Sequence, residues 1–376
     1  HGAAADEAAA TPGGQPLPPT MGAGAFQLAE FTQTPYLETI KLAFIPAVLY
    51  FISVILFVHF EAQKQGIWGL PKDQLPNILQ TLKDGIHFII PVAILIIVLV
   101  MNYSPMMAGF IAILAVYFTA LLRKGSRISF GTLIKTLEQG ARNAIVVAVA
   151  CAAAGIIVGI VNLTGTGLRF SSLVVSLSQG IPLLALLLVA LTSLFLGMGL
   201  PVTASYIVLI ILAGPGLMDL GIPLLTAHMV VFWYSQDANV TPPVALESFA
   251  ASGIAGSSPM KTAFTSWKLA KGLYIIPIIM AYHPLLLNGP VPEVIKTVVF
   301  SILSIIAFVV CMERYFLTHL TWPETILQGA SALLLIWAIP LLNYIGLALF
   351  IFLLIYQLIR RKKHPNPLSL QKPTYS

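Results

Sequence analysis

Charge is what this sequence has least of: 9% of its 376 residues are Asp, Glu, Lys or Arg, against about 25% in an ordinary soluble domain. A water-soluble globule is excluded, and the 58% hydrophobic content excludes a disordered chain as well. Cysteine is nearly missing. Cys151 and Cys311 both lie inside apolar stretches, too few for a disulfide framework or a thiolate metal site, and they read as packing residues. The seven histidines are scattered with no HExxH among them, and no GxxxxGK[ST] loop occurs, so the chain carries no zinc-hydrolase signature and does not hydrolyse ATP as a P-loop enzyme would. Nor is there a motif that pairs Ser with His, or Asp with Asp, as an intramembrane protease requires.

What is present is long apolar sequence. With a mean hydropathy of +0.91, the composition is that of an all-α polytopic membrane protein. The spacing predicts spans at Tyr36 to Phe60, His87 to Asn102, Met106 to Leu122, Ala141 to Leu163, Met260 to Tyr282, Val294 to Cys311, Thr325 to Ile339 and Leu342 to Ile359. Between Arg127 and Arg142, the half-polar stretch Ile128 to Gly140 reads as an interfacial helix, and Gly167 to Gln179, with Arg169 and four serines, as a surface helix. Ile181 to Leu217 reads as a hairpin that enters and leaves on one side.

Although pI 9.2 and a net charge of +6 would suit nucleic acid, the basic residues sit at the ends of apolar runs and report topology instead. Arg360, Arg361, Lys362 and Lys363 close the last run and are expected to be cytoplasmic. Counting back from them puts 17 of the 20 basic residues on that side, leaving only Lys41, Arg169 and Lys296 outside. The split depends on the hairpin: two full crossings there would move Arg123, Lys124 and Arg127 outside.

Three Gly/Pro-dense breaks interrupt the apolar sequence: TPGGQPLPP at 11–19, GMGLP at 197–201 and NVTPP at 239–243. Irregular backbone in lipid costs several kcal/mol per unsatisfied group, so it persists where protein, water or a bound ion satisfies it. Helix N-termini at such a break favour an anion, and unwound carbonyls favour a cation. In NVTPP, Pro242 and Pro243 withhold two donors and leave carbonyls and the Thr241 hydroxyl as ligands, while Asp237 supplies a carboxylate for a hard cation such as sodium. Near a loop Asp237 would simply be solvated. Glu247 is either a site residue or the partner of Lys261 or Lys268. The Gly155/Gly159 pair reads as a helix-packing motif.

Two breaks look like copies of one another. Pro18, Pro19 and Pro35 recur as Pro242, Pro243 and Pro259 at a constant offset of 224, and IPAVLY at 45–50 resembles IPIIMAY at 276–282 after a seven-residue slip. In the topology above the copies run in opposite directions, the inverted-repeat design of secondary transporters.

The stretches PGGQPLPPTMGAGAF (12–26), YLETIKLAFIPAVLYFISVILFVHFEA (36–62), GMGLPVTASYIVL (197–209) and FWYSQDANVTPPVAL (232–246) resemble the membrane component of tripartite ATP-independent periplasmic (TRAP) transporters. More narrowly, they resemble the fused permease that pairs with a TAXI-type binding protein. The resemblance implies an elevator-type secondary transporter with re-entrant hairpins, in a bacterial or archaeal inner membrane, importing an organic acid with sodium and using no cofactor beyond that ion. By family analogy the site is formed by Thr11, Gly13, Gly14 and Gln15, with Pro18 and Pro19, from one half. Gly197, Gly199, Pro201, Thr203, Asp237, Asn239, Thr241, Pro242 and Pro243 come from the other, with Asp237 and Thr241 as the sodium ligands.

Two positions depart from the family pattern: Pro12, where the family commonly reads STGGQ, and Glu247, where a small residue is expected. The resemblance divides the chain into 1–60, the end of repeat one; 61–140, connecting spans; 141–283, repeat two with hairpin 181–217 and broken helix 223–256; 284–363, C-terminal spans; and the tail 364–376. The chain opens on His1 rather than Met, and HGAAADEAAATPGGQPLPP has neither the basic nor the apolar region of a signal peptide, so it is expected to begin inside a longer protein; the resemblance implies that the small-subunit helices and the first hairpin of repeat one lie before His1. A stand-alone anion/sodium symporter and a non-transporting membrane fragment are the alternatives.

Overall fold

The computed structural model describes residues 1–19, 21–67, 75–101, 103–121 and 128–363. Lys72, Arg123, Lys124, Arg127, Lys372 and the tail 364–376, which entered the topology count, lie outside the described residues. The chain divides into two compact units: His1–Gly13, Phe44–Trp68 and Gln236–Ser376 form the first, Gly14–Ala43 and Gly69–Ser235 the second. Among the described residues, five helices are long and apolar enough to cross a membrane by length and composition: Tyr36–Gln65, Phe130–Thr164, Val202–Asp219, Val291–Glu313 and Pro340–Lys362.

In the second unit, α2 (Ala23–Thr32), α4 (Ile78–Val100), α5 (Pro105–Leu121), α6 (Phe130–Thr164), α7 (Thr166–Leu177), α8 (Pro182–Leu196), α9 (Val202–Asp219) and α10 (Leu224–Tyr234) follow in order, and α4 packs on α5. α9 is the hub, packed by α2, α6, α7, α8 and α10. Its sequence VTASYIVLIILAGPGLMD is apolar on nearly every face, the pattern of a helix enclosed by others. The expected division at Gly140 is not formed: α6 runs continuously over 35 residues. No proline lies in that stretch, and Arg142 pairs with Glu138 one turn back at 2.8 Å, which favours continuation. α7 is seated on α9 through Gly167, Ser171 and Val174, residues spaced to share one helical face.

Ser171 explains how α9 accommodates Pro215. Its hydroxyl donates to the Leu212 carbonyl at 2.7 Å and accepts from the Gly216 amide at 3.2 Å, so one side chain stands in the ladder where Gly216 would bond Leu212 directly. Gly216 permits this approach, since a Cβ there would lie 3.1 Å from the Ser171 carbonyl oxygen. Ser171→Ala removes both bonds from a buried site. We expect a loss of about 1–3 kcal/mol, read as a lower melting temperature of the purified protein, whereas Ser172→Ala on the exposed side of α7 should leave it unchanged.

The first unit begins with α1 (Gly2–Gly14), an alanine-rich helix that buries Ala4, Ala5, Ala8 and Ala9. It continues in α3 (Tyr36–Gln65) from Phe44 onward. Then come a 3₁₀ turn at Asp237–Asn239, α11 (Leu246–Ala255), α12 (Pro259–Leu269), α13 (Gly272–Tyr282), α14 (Val291–Glu313), α15 (Trp322–Leu335) and α16 (Pro340–Lys363). The single span expected over Met260 to Tyr282 is two helices, interrupted at Ala270 and Lys271.

α14, α15 and α16 form an antiparallel stack. Ser304 donates to Ala332 O at 2.7 Å, Cys311 to Thr325 O at 3.4 Å and Ser331 to Gly346 O at 2.9 Å. Gly346 is required here, because a Cβ would stand 2.8 Å from the Leu335 amide nitrogen. Thr321 and Glu324 form a capping box at the start of α15. Glu324 also takes Arg360 at 3.0 Å, so one cation of the terminal basic cluster is an ion-pair partner within the fold.

At the same end, α3, α12 and α14 meet in a cluster of charge. Lys268 Nζ lies 2.8 Å from Glu61 and 2.7 Å from Glu313, with Lys64 at 3.6 Å from Glu313. Glu313 is fully buried. The neighbouring Arg314 stacks on Trp322 at the start of α15. Lys64, Lys268, Arg314 and Arg360 therefore share one end of this unit, while Lys296, in the second turn of α14, lies at the other.

Candidate functional site

The segment after α10 buries Gln236, Asp237 and Thr241 within six residues. Pro242 and Pro243 cannot donate backbone hydrogen bonds, and the chain cannot continue as a helix through 240–245. Asp237, fully buried, closes the 3₁₀ turn: its carbonyl accepts from Val240 N at 3.2 Å and Thr241 N at 3.1 Å. Its carboxylate accepts from the Thr241 hydroxyl at 2.7 Å on one oxygen and from the Tyr274 hydroxyl on the other. Tyr274 in turn accepts from Trp267 Nε1 at 3.2 Å, and Lys271 Nζ sits 3.3 Å above the Trp267 ring.

Each Asp237 oxygen can accept a second bond. The Thr241 hydroxyl donates its one proton and keeps its lone pairs. This is an oxygen-rich set of the kind a small hard cation takes.

Two i,i+4 pairs of small hydroxyls carry the polarity onward. Ser248 and Ser252 on α11, and Thr262 and Ser266 on α12, are all buried. Ser248 and Ser266 are hydrogen-bonded to each other, and Ser266 approaches Val240 O at 3.4 Å. Asn239 donates from Nδ2 to Glu247 Oε1 at 3.3 Å. Among the described residues Glu247 forms no ion pair with Lys261 or Lys268; Lys268 is committed to Glu61 and Glu313. Ala245 takes a left-handed φ of 38° immediately before α11, and Pro242–Pro243 is a cis bond, as is Pro18–Pro19.

The other expected site residues fall in separate places. Thr11 spends its hydroxyl on Glu7 O within α1 at 3.0 Å. Gly13 meets α3 so closely that a Cβ would lie 2.7 Å from the Tyr50 ring, and the Tyr50 hydroxyl donates to Ala9 O at 2.6 Å. In the second unit, Gly14 is exposed, with open space about it. Gln15 closes the first break, its carbonyl accepting from Gly22 N at 2.8 Å. Pro18 follows in the same loop, and Pro19 lines an apolar cavity of about 220 Å³ with Phe26, Tyr36, Leu95 and Leu99.

Gly197, Gly199 and Pro201 form the turn that joins α8 to α9, with Thr203 buried in the first turn of α9. Gly199 has φ 77°, a conformation that only glycine adopts at no cost. Of the expected residues, then, Asp237 and Thr241 are directly bonded, while Asn239 reaches Glu247 instead.

Tyr274 and Trp267 were not anticipated. A lone tyrosine 37 residues from its carboxylate partner leaves no sequence signal. Ser248, Ser252, Thr262 and Ser266 did leave one: hydroxyls four apart lie on a single face of each helix.

Long apolar helices broken at glycine and proline, with a carboxylate and hydroxyls buried at the breaks, define a polytopic membrane transporter. Residues 1–286 match the family described as tripartite ATP-independent periplasmic transporter, DctM component, and the chain belongs to that family. The family is a transporter family, not an enzyme family, and supplies the membrane component of TRAP systems, which also employ a substrate-binding protein and a small membrane subunit. No curated protein matches the chain.

Proposed function

We propose that this chain is the permease of a sodium-coupled, binding-protein-dependent importer of an organic acid. It works by an elevator-type movement of inverted repeats, and its partner is a TAXI-type periplasmic protein. The observation that carries the sodium assignment is the Asp237 cluster: a fully buried carboxylate with two hydroxyls on it, in a break whose prolines free backbone carbonyls. Organic acid is favoured because helix N-termini at the breaks, such as those of α9 and α11, attract a carboxylate.

Supporting the repeat is a correspondence of elements at the offset of 224. Shifted by that amount, α1 falls on α10 and the 3₁₀ turn that follows it, and α2 becomes 247–256, one residue from α11. Pro35, just before α3, falls on Pro259, the first residue of α12. The seven-residue slip also has a counterpart: α3 is continuous, while the second copy is interrupted at Ala270 and Lys271, between the matched prolines Pro259 and Pro277.

The test is uptake into proteoliposomes containing the full-length transporter, with a panel of radiolabelled mono- and dicarboxylates and the TAXI-type protein supplied outside. Uptake should require both that protein and an inward sodium gradient. Uptake that proceeds equally without the binding protein would favour a stand-alone symporter, and uptake indifferent to sodium would remove the ion assignment.

A further inference from the structure

Helices α14 to α16 lie beyond residue 286, outside the stretch matched to the family. Their end away from the Glu61–Lys268–Glu313 cluster encloses a cavity of about 270 Å³ where α13 and α15 end and α14 and α16 begin. His283, Glu293, Lys296, Phe300, Ile336 and Asn343 contribute to its wall.

Much of this wall is fixed. His283 Nε2 bonds Ile336 O at 2.9 Å, and Asn343 Nδ2 caps the end of α15 by donating to Leu334, Leu335 and Trp337 carbonyls at 3.1, 3.1 and 2.7 Å. Lys296 is held differently. Its ammonium lies 5.7 Å from the Phe300 ring centre and 5.3 Å from that of Tyr344, two rings set edge to face at 87°. Among the described residues no carboxylate lies within 4.0 Å of it. Glu293, one turn earlier on α14, faces the same cavity and is likewise not paired with Lys296.

Two opposite charges three residues apart on a helix ordinarily pair across it. Here the cation lies beside the two rings and the exposed Glu293 is not paired with it, so the cavity presents one positive and one negative group side by side. That arrangement suits a compact zwitterion. Outside the cavity, α14 and α16 expose Val291, Ile295, Val299, Leu341 and Ile345, an apolar surface beside the cavity's wall.

The geometry points to a binding site for a phosphoethanolamine headgroup, its phosphate on Lys296 and its ammonium on Glu293, carried by a phospholipid whose acyl chains lie along the exposed faces of α14 and α16. The same headgroup chemistry exists in a soluble compound, and the experiment separates the two sources.

Native mass spectrometry of the full chain, with phosphatidylethanolamine or phosphatidylglycerol added at equal concentration, reads the bound lipid directly. Wild type should retain phosphatidylethanolamine in preference. Lys296→Met keeps an unbranched side chain, one atom shorter, but removes the charge, and it should lower that occupancy about tenfold, the loss of one charge-assisted hydrogen bond. Glu293→Gln should abolish the preference over phosphatidylglycerol while leaving total lipid binding in place, which a merely destabilised variant would not do. Displacement of the lipid by free phosphoethanolamine assigns the site to the soluble compound; persistence of the lipid adduct assigns it to the membrane. Equal retention of the two lipids by wild type, or lipid adducts unchanged in Lys296→Met, would overturn the proposal.

Discussion

Lys268→Met should lower the melting temperature of the purified protein more than any other single change described above. Lys268 bridges Glu61 and Glu313 at 2.8 and 2.7 Å, and Glu313 has no solvent exposure at all. Removing one partner of a buried ion pair costs about 3–5 kcal/mol because the remaining charge is left without compensation. The lower end applies here, since the side chains of Lys268 and Glu61 keep 29% and 28% exposure and Lys64 stands 3.6 Å from Glu313.

About 3 kcal/mol corresponds to a fall of roughly 6–12 °C on the scale of medium-sized domains. The double variant Lys268→Met/Glu313→Gln tests the cause. Because it removes a buried charge along with its partner, it should recover part of the loss, a non-additivity expected of groups in direct contact. A Lys268→Met protein that melts within 1 °C of wild type would show that the cluster is hydrated and contributes little.

Sodium should stabilise the wild-type protein, and Asp237→Asn together with Thr241→Ala should abolish the effect. A ligand that binds only the folded state contributes about 2.7 kcal/mol at a hundredfold excess over its dissociation constant. The expected signature is a melting temperature that rises with NaCl but not with choline chloride at equal ionic strength.

Tyr274→Phe provides the graded case. It removes one of the two hydroxyls that bond Asp237 and leaves the carboxylate and Thr241 in place, so sodium should still stabilise but at higher concentration. If sodium and choline give identical curves for wild type, the Asp237 cluster is a structural tie between the 3₁₀ turn and α13. The double variant would then be destabilised equally in either salt.

The sequence by itself determined the class of the protein. A chain with so little charge and such long apolar runs must place its helices in lipid, and glycine and proline impose their breaks through local sterics wherever they fall. Gly197 to Pro201 and Pro242–Pro243 accordingly separate α8 from α9 and α10 from α11. Two readings failed, a division of α6 at Gly140 and an unbroken span from Met260 to Tyr282: a lone glycine does not by itself stop the backbone ladder, and the lysine-bearing stretch 259–269 and the apolar stretch 272–282 are separate helices although they adjoin.

Tertiary structure alone decided which side chains meet. Asp237 and Thr241 are one turn apart and were paired from sequence, but Tyr274, which takes the second carboxylate oxygen, comes from another helix. Lys268 could have served Glu247 as readily as Glu61 or Glu313 until three helices were packed together. The hydroxyl of Ser171 finds its place in α9 only after Pro215 has opened the ladder and Gly216 has let α7 approach. Each of these contacts joins residues far apart in the chain, and hydropathy and spacing carry no information about a partner on another helix.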